Sequence, residues 1–144
     1  MTNSINKPNT LFWIIGVIAL IWNAMGVMAF FGQLLMTEET LAALPEAEQA
    51  LYQDLPIWVT IAFTVAVFGG ILGSIFMLLR KKIASTIFAI SLLGVLVQMT
   101  YNNFISNTFE VYGPGSVIMP IMVIVIGFFL VWYSRNSLAK GWLS

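Results

Sequence analysis

Three uncharged polar residues, Asn23, Thr64 and Gln98, lie deep inside long apolar runs of this chain. If each run is a helix rising ~1.5 Å per residue, Asn23 sits ~18 Å and Gln98 ~22 Å from the basic end of its run. Thr64, placed on the same scale, falls at ~20 Å of a ~30 Å hydrocarbon core. Trp22 adds an indole N–H beside Asn23, and Gln33, Thr60, Tyr101 and Asn102 lie nearer the opposite surface. Helical spacing puts Thr60 with Thr64, and Gln98 with Asn102, on shared faces. Amides and hydroxyls at matched depth can donate and accept hydrogen bonds without charge. If their faces converge, they line a cleft narrowing from one surface to mid-membrane, suited to a neutral hydroxyl-rich or amide-bearing molecule. The same residue types also bind membrane helices to one another, at about 0.6 kcal/mol per contact and ~2 at most. The sequence leaves both readings open.

Other chemistry is short of parts. The 144 residues include no histidine and no cysteine, which removes the commonest general base, thiol nucleophiles, thiolate ligands and disulfides. No Ser-His-Asp set, carboxylate pair in a cleft or metal-ligand cluster can be assembled, so no enzyme activity, cofactor or metal site is expected. Glu46 and Glu48, two apart on a surface helix, are solvated acids. None of the apolar runs contains Asp, Glu, Lys, Arg or His. Intramembrane ionisable groups mark proton relays and ion pathways, so a proton-coupled small multidrug antiporter is argued against.

The elements that position these residues are set by hydropathy and charge. The chain is 60% hydrophobic and 8% charged, with a mean hydropathy of +0.94, too apolar for a soluble domain. Its charges sort by sign. Lys7, Arg80, Lys81, Lys82, Arg135 and Lys140 fall before the first apolar run, between the second and third, or after the fourth. Glu38, Glu39, Glu46, Glu48, Asp54 and Glu110 fall in the other two gaps. Four membrane spans explain this sorting, with Arg80, Lys81 and Lys82 as topology determinants that hold their turn and both termini in the cytoplasm. The expected fold is an all-α, antiparallel four-helix transmembrane bundle forming one domain over residues 1–144. Its spans cover about 11–36, 57–79, 83–105 and 116–133. The basic turn is too small to argue for nucleic acid, and its partner is the lipid bilayer.

Residues 37–56 form an acidic outer cap. Thr37 before Glu38 and Glu39 is a helix N-cap signal, and Pro45 before Glu46 begins a second helix at its first position. Leu44, Leu51, Tyr52 and Leu55 make its apolar stripe. Asn102, Asn103, Ser106 and Asn107 mark where the third span emerges. Trp13, Trp132 and Tyr133 at one interface, and Tyr52, Trp58, Tyr101 and Tyr112 at the other, fit aromatic belts. Gly69 with Gly73, and Gly70 with Ser74, are small pairs four apart that allow close helix approach. The expected contact is within the chain, against Ser91 or Gly94. A homodimer seam is the alternative.

Several segments together carry a resemblance. They are Trp22-Asn-Ala-Met-Gly26, Leu44-Pro-Glu-Ala47, Leu51-Tyr52, Pro56-Ile-Trp58, Ala66-Val-Phe-Gly-Gly70 and Leu79-Arg-Lys-Lys82, with Glu110-Val-Tyr-Gly-Pro-Gly115, Met119-Pro-Ile-Met122 and Lys140-Gly-Trp-Leu143. Over nearly its whole length the chain is similar to a family of small four-span bacterial membrane proteins whose members often carry a generic sugar-transporter label. That resemblance implies a multi-pass protein of the bacterial inner membrane. Two functions follow as expectations. One is a permease or binding protein for a neutral polar solute such as a sugar, with Asn23, Thr64 and Gln98 at the inner end of the cleft and Thr60, Tyr101 and Asn102 nearer its mouth. A single bundle leaves little room for alternating access, so transport would call for an oligomer. The other is a non-transporting accessory subunit that docks a larger membrane complex through Gly69, Gly73 and the acidic cap.

Overall fold

A computed structural model describes residues 7–53, 55–105 and 108–144. Asp54, Ser106 and Asn107 lie outside the described residues, as do the first six residues of the polar lead and the side chain of Asn103. Among the described residues, four helices are long and apolar enough to cross a membrane. They are α1 (Thr10–Leu34), α4 (Ile57–Leu78), α5 (Ile83–Thr100) and α7 (Ile118–Ala139). Among the described residues, three short α-helices lie between them: α2 (Glu38–Ala42), α3 (Glu46–Gln53) and α6 (Thr108–Tyr112). No strand occurs among the described residues, and the architecture is an all-α antiparallel four-helix bundle.

The ends of these helices follow from local chemistry. Asn9 caps α1 by accepting from the Phe12 N–H at 2.9 Å, and Thr37 caps α2 by accepting from the Thr40 N–H at 3.1 Å. Helix α3 starts one residue after Pro45 rather than on it. Helix α4 ends in a Schellman motif, in which the Lys81 N–H donates to the Phe76 carbonyl at 2.8 Å and Arg80 N–H to Met77 at 2.9 Å. Arg80 fills the left-handed position at φ 59° that glycine usually takes. Helix α7 ends the same way on Gly141, at φ 80°, with the Trp142 N–H donating to the Ser137 carbonyl at 2.9 Å.

Two of the long helices differ from a single α-helix per apolar run. The third is α-helical only to Thr100 and continues as a π-helical turn over Tyr101–Ile105. The fourth runs six residues past Tyr133, because Arg135 stays exposed while Ser134 and Ser137 are buried among neighbouring helices. Tyr133 is also no belt residue. It is 7% exposed, with its ring stacked between Phe12 at 6.4 Å and Phe129 at 5.6 Å. Tyr101 is buried too, beneath the Trp58 ring at 5.6 Å.

In space the order is α1, α4, α5, α7, each packed on the next. The α4–α5 seam is tightest because small residues face each other there. A Cβ on Gly69 would lie 2.9 Å from Ser91 Cβ, and one on Gly94 would lie 2.8 Å from the Ala62 carbonyl oxygen. Across the same seam, Ser91 Oγ donates to the Ala66 carbonyl at 2.6 Å. Among the described residues no extended contact joins α1 to α7. These two meet toward the basic end, where Phe12, Met77, Ala84, Phe88, Leu130, Tyr133 and Leu143 form the buried core with Ala19. The chain after α7 closes that end. Trp142 packs edge-on to Phe12 at 5.7 Å, the Arg80 Nε–H donates to the Trp142 carbonyl at 2.9 Å, and Ser144 exchanges backbone bonds with Arg80 and Lys82.

Candidate functional site

Above the aromatic floor at the basic end, the four long helices line a partly open cavity of about 380 Å³. Helix α1 contributes Trp22, Asn23, Met25, Gly26 and Ala29, and α7 contributes Met119, Val123, Ile126, Gly127 and Leu130. Helices α4 and α5 supply the back wall, including Phe63, Gly70, Phe88, Ser91 and Gln98. The walls are predominantly apolar, and no charged side chain lines them.

The few polar atoms differ in what they have left to offer. Asn23 rests on Gly70, where a Cβ would collide with Oδ1. Its Nδ2 donates to the Ala19 carbonyl at 2.8 Å and to Ser74 Oγ at 3.3 Å. Ser74 in turn donates to the Gly70 carbonyl at 2.9 Å. Both Asn23 donors are therefore spent as α1–α4 glue, and its Oδ1 remains as an acceptor. The hydroxyl hydrogen of Ser91 is spent on Ala66. The Gln98 amide and the Trp22 indole N–H make no hydrogen bond among the described residues. Gln98 brings both a donor and an acceptor, and Trp22 a donor.

Of the six residues expected in one cleft, only Asn23 and Gln98 share this cavity. Thr64 does not line it. Its hydroxyl donates to the Thr60 carbonyl one turn back, at 2.8 Å, a bond that satisfies a half-buried hydroxyl within its own helix. Thr60 lines a separate pocket of about 270 Å³ with Phe30, Gln33 and Tyr52. Tyr101 and Asn102 line another of about 160 Å³ with Gln33, Tyr52, Thr108 and Tyr112. Both lie under α3, whose Leu51 and Tyr52 turn inward together with Leu55 just beyond its end, as the apolar stripe predicts. The Phe30 and Phe63 rings, 5.3 Å apart and nearly perpendicular, stand between the Thr60 pocket and the cavity. The expected continuous funnel is thus divided by aromatic side chains.

The cap pockets have their own electrostatics. Burial raises the pKa of the Tyr112 phenol above its ordinary value, helped by the nearby Tyr52 and Glu48 charges and a hydrogen bond to Tyr52.

The glycine pairs serve the inside of the chain. Gly69 meets Ser91, a Cβ on Gly73 would lie 2.7 Å from the Phe88 ring, and Gly70 receives Asn23. Ser74 is fully buried. Arg80, Lys81 and Lys82 all lie in the α4–α5 turn, Lys81 and Lys82 exposed. Sequence reasoning passed over Asn9 as a cap, although Asn before an apolar run is an N-cap signal. It also missed the closure of the basic end by Trp142 and Leu143. Gly141 just past a helix was the available sign.

No protein-family model matches this chain, and neither a curated protein nor a solved structure is significantly similar to it.

Proposed function

We propose that this protein is a minor permease or binding protein that holds one neutral small molecule in the mid-bundle cavity. Its place is the bacterial inner membrane, with both termini and the Arg80–Lys82 turn cytoplasmic. Charge sorting supports that orientation, since basic segments stay on the cytoplasmic side.

The observation that carries the reading is the pair of unspent polar groups on Trp22 and Gln98, beside Asn23 Oδ1, in an otherwise apolar cavity. An unmade hydrogen bond in such surroundings costs about 1–3 kcal/mol, so these groups favour an occupant that completes them. The absence of charge on the lining favours a neutral occupant. A volume of about 380 Å³ lies within the usual range for small-molecule sites. Gly69 and Gly73 are occupied by α5 within the chain, which leaves the accessory-subunit reading with the acidic cap alone as its docking surface.

Thermal unfolding in lipid nanodiscs tests this with neutral probes: glucose, inositol, short amides and medium-chain alcohols. A probe that fills the site at 100 times its Kd stabilises by about 2.7 kcal/mol. Asn23→Leu combined with Gln98→Leu removes that protection. Stabilisation by none of these probes, or protection that survives both substitutions, refutes the proposal.

A further inference from the structure

We infer that the cavity takes its ligand sideways from the bilayer, between α1 and α7, and that the ligand is a neutral single-chain amphiphile rather than an aqueous sugar. This rests on the cavity being a binding site at all, as proposed above.

The route follows from which sides are closed. At the basic end, Phe12, Tyr133 and Trp142 stack beneath the cavity, and Leu143 is buried with them. Toward the cap, Phe30 and Phe63 separate it from the Thr60 pocket. The α1–α4, α4–α5 and α5–α7 sides are packed, whereas α1 and α7 make no extended contact among the described residues. Met25 and Met119 stand on the two sides of that gap, and both line the cavity while remaining more than half exposed, at 59% and 58%. In a chain immersed in lipid, such exposure faces acyl chains. Methionine suits a doorway of this kind, being unbranched, flexible and able to re-pack around variable apolar shapes.

The occupant's chemistry follows from the lining. A sugar presents several hydroxyls and would leave most of them unpaired against these walls, each at the cost of burying a polar group without a partner. The unspent groups number few: the Gln98 amide, the Trp22 N–H and Asn23 Oδ1. They match one hydroxyl or one primary amide. The remaining volume, room for on the order of a dozen water-sized groups, is apolar and fits a medium-length chain. A carboxylate or quaternary ammonium head would meet no counter-charge there.

Photolabelling in nanodiscs distinguishes these possibilities. The probe is a twelve-carbon alcohol carrying a chain diazirine, and the labelled residues are mapped by mass spectrometry. The chain has no cysteine, so Met25→Cys with Met119→Cys gives a unique thiol pair for a bismaleimide added after folding, and the unbridged double variant is the control for the substitutions themselves. Label is expected at cavity residues, competed by unlabelled dodecanol or dodecanamide but not by dodecanoate, dodecyltrimethylammonium or glucose. Bridging before the probe is added should slow labelling about tenfold or more, and Gln98→Leu should weaken competition about tenfold, the effect of one unmade hydrogen bond. Protection by glucose or inositol with no effect of bridging overturns the lateral amphiphile while leaving a neutral-ligand site. Equal competition by charged amphiphiles, or labelling only at a contact between two copies of the chain, also overturns it. No cavity labelling and no protection by any probe removes the site itself.

Discussion

Replacing Gly94 by alanine should loosen the bundle by an amount the α4–α5 seam defines. The added Cβ would lie 2.8 Å from the Ala62 carbonyl oxygen and 2.9 Å from the Ala66 nitrogen. Both are backbone atoms, so no side chain can rotate away, and ordinary contact begins near 3.4 Å. Helices α4 and α5 must therefore separate by about 0.6 Å at that point, in an interior packed with little free space. The movement also strains the Ser91–Ala66 hydrogen bond, already short at 2.6 Å, and opens the Gly69–Ser91 contact. Overpacking of this kind costs about 1–3 kcal/mol, against which the better helix propensity of alanine returns up to about 1. The net loss expected is about 1–2 kcal/mol. Gly32→Ala is the matched control, because a Cβ there meets nothing within 4 Å. It should be neutral or stabilising by up to about 1 kcal/mol. Reversible unfolding in mixed SDS micelles, followed by circular dichroism, measures both. A Gly94→Ala protein as stable as Gly32→Ala would refute the close backbone approach.

Two further perturbations probe the ends of the bundle. Arg80→Ala and Arg80→Gly both lose the side-chain bond to the Trp142 carbonyl, and glycine alone also relieves the left-handed backbone at φ 59°. The alanine variant should therefore be less stable than the glycine variant by about 1–2 kcal/mol in the same unfolding assay. At the cap, the raised pKa of Tyr112 means the folded state holds its phenolic proton more tightly than the unfolded state. Its contribution is present in full below the ordinary value of 10.0 and is lost as pH rises through the higher folded value. Ultraviolet titration of tyrosinate should place Tyr112 above a free tyrosine, and Glu48→Gln should move it back toward that value.

The spans were legible because their cause is local: an apolar run long enough to cross a bilayer must satisfy its backbone as a helix. The Thr37 cap of α2 and the inward Leu51 and Tyr52 of α3 were legible for the same reason, since each is set by neighbouring residues and α3 has a polar side and an apolar side. What could not be read was the rotation of each span about its axis. Lipid tails and protein interior are equally apolar, so a transmembrane helix needs no amphipathic pattern to say which face turns inward. Asn23 and Gln98 do face the cavity, while Thr64, alike in depth, bonds back to Thr60 and does not line it. Counting along the helices could bring Asn23 and Gln98 to one cavity, but it could not give the azimuth of Thr64. Helix α7 continues to Ala139, past the Tyr133 bound read for the fourth span, because Arg135 and Asn136 end the apolar run but not the helix.

The occupancy of the cavity is most directly tested by native mass spectrometry of the protein released in nanodiscs from the membranes in which it is made. One neutral, mostly apolar molecule per chain is expected on the wild type, and about tenfold less of it when Asn23 and Gln98 are both leucine. An unliganded wild type, or adducts of bulk phospholipid retained equally by both proteins, would contradict a built site at Trp22, Asn23 and Gln98.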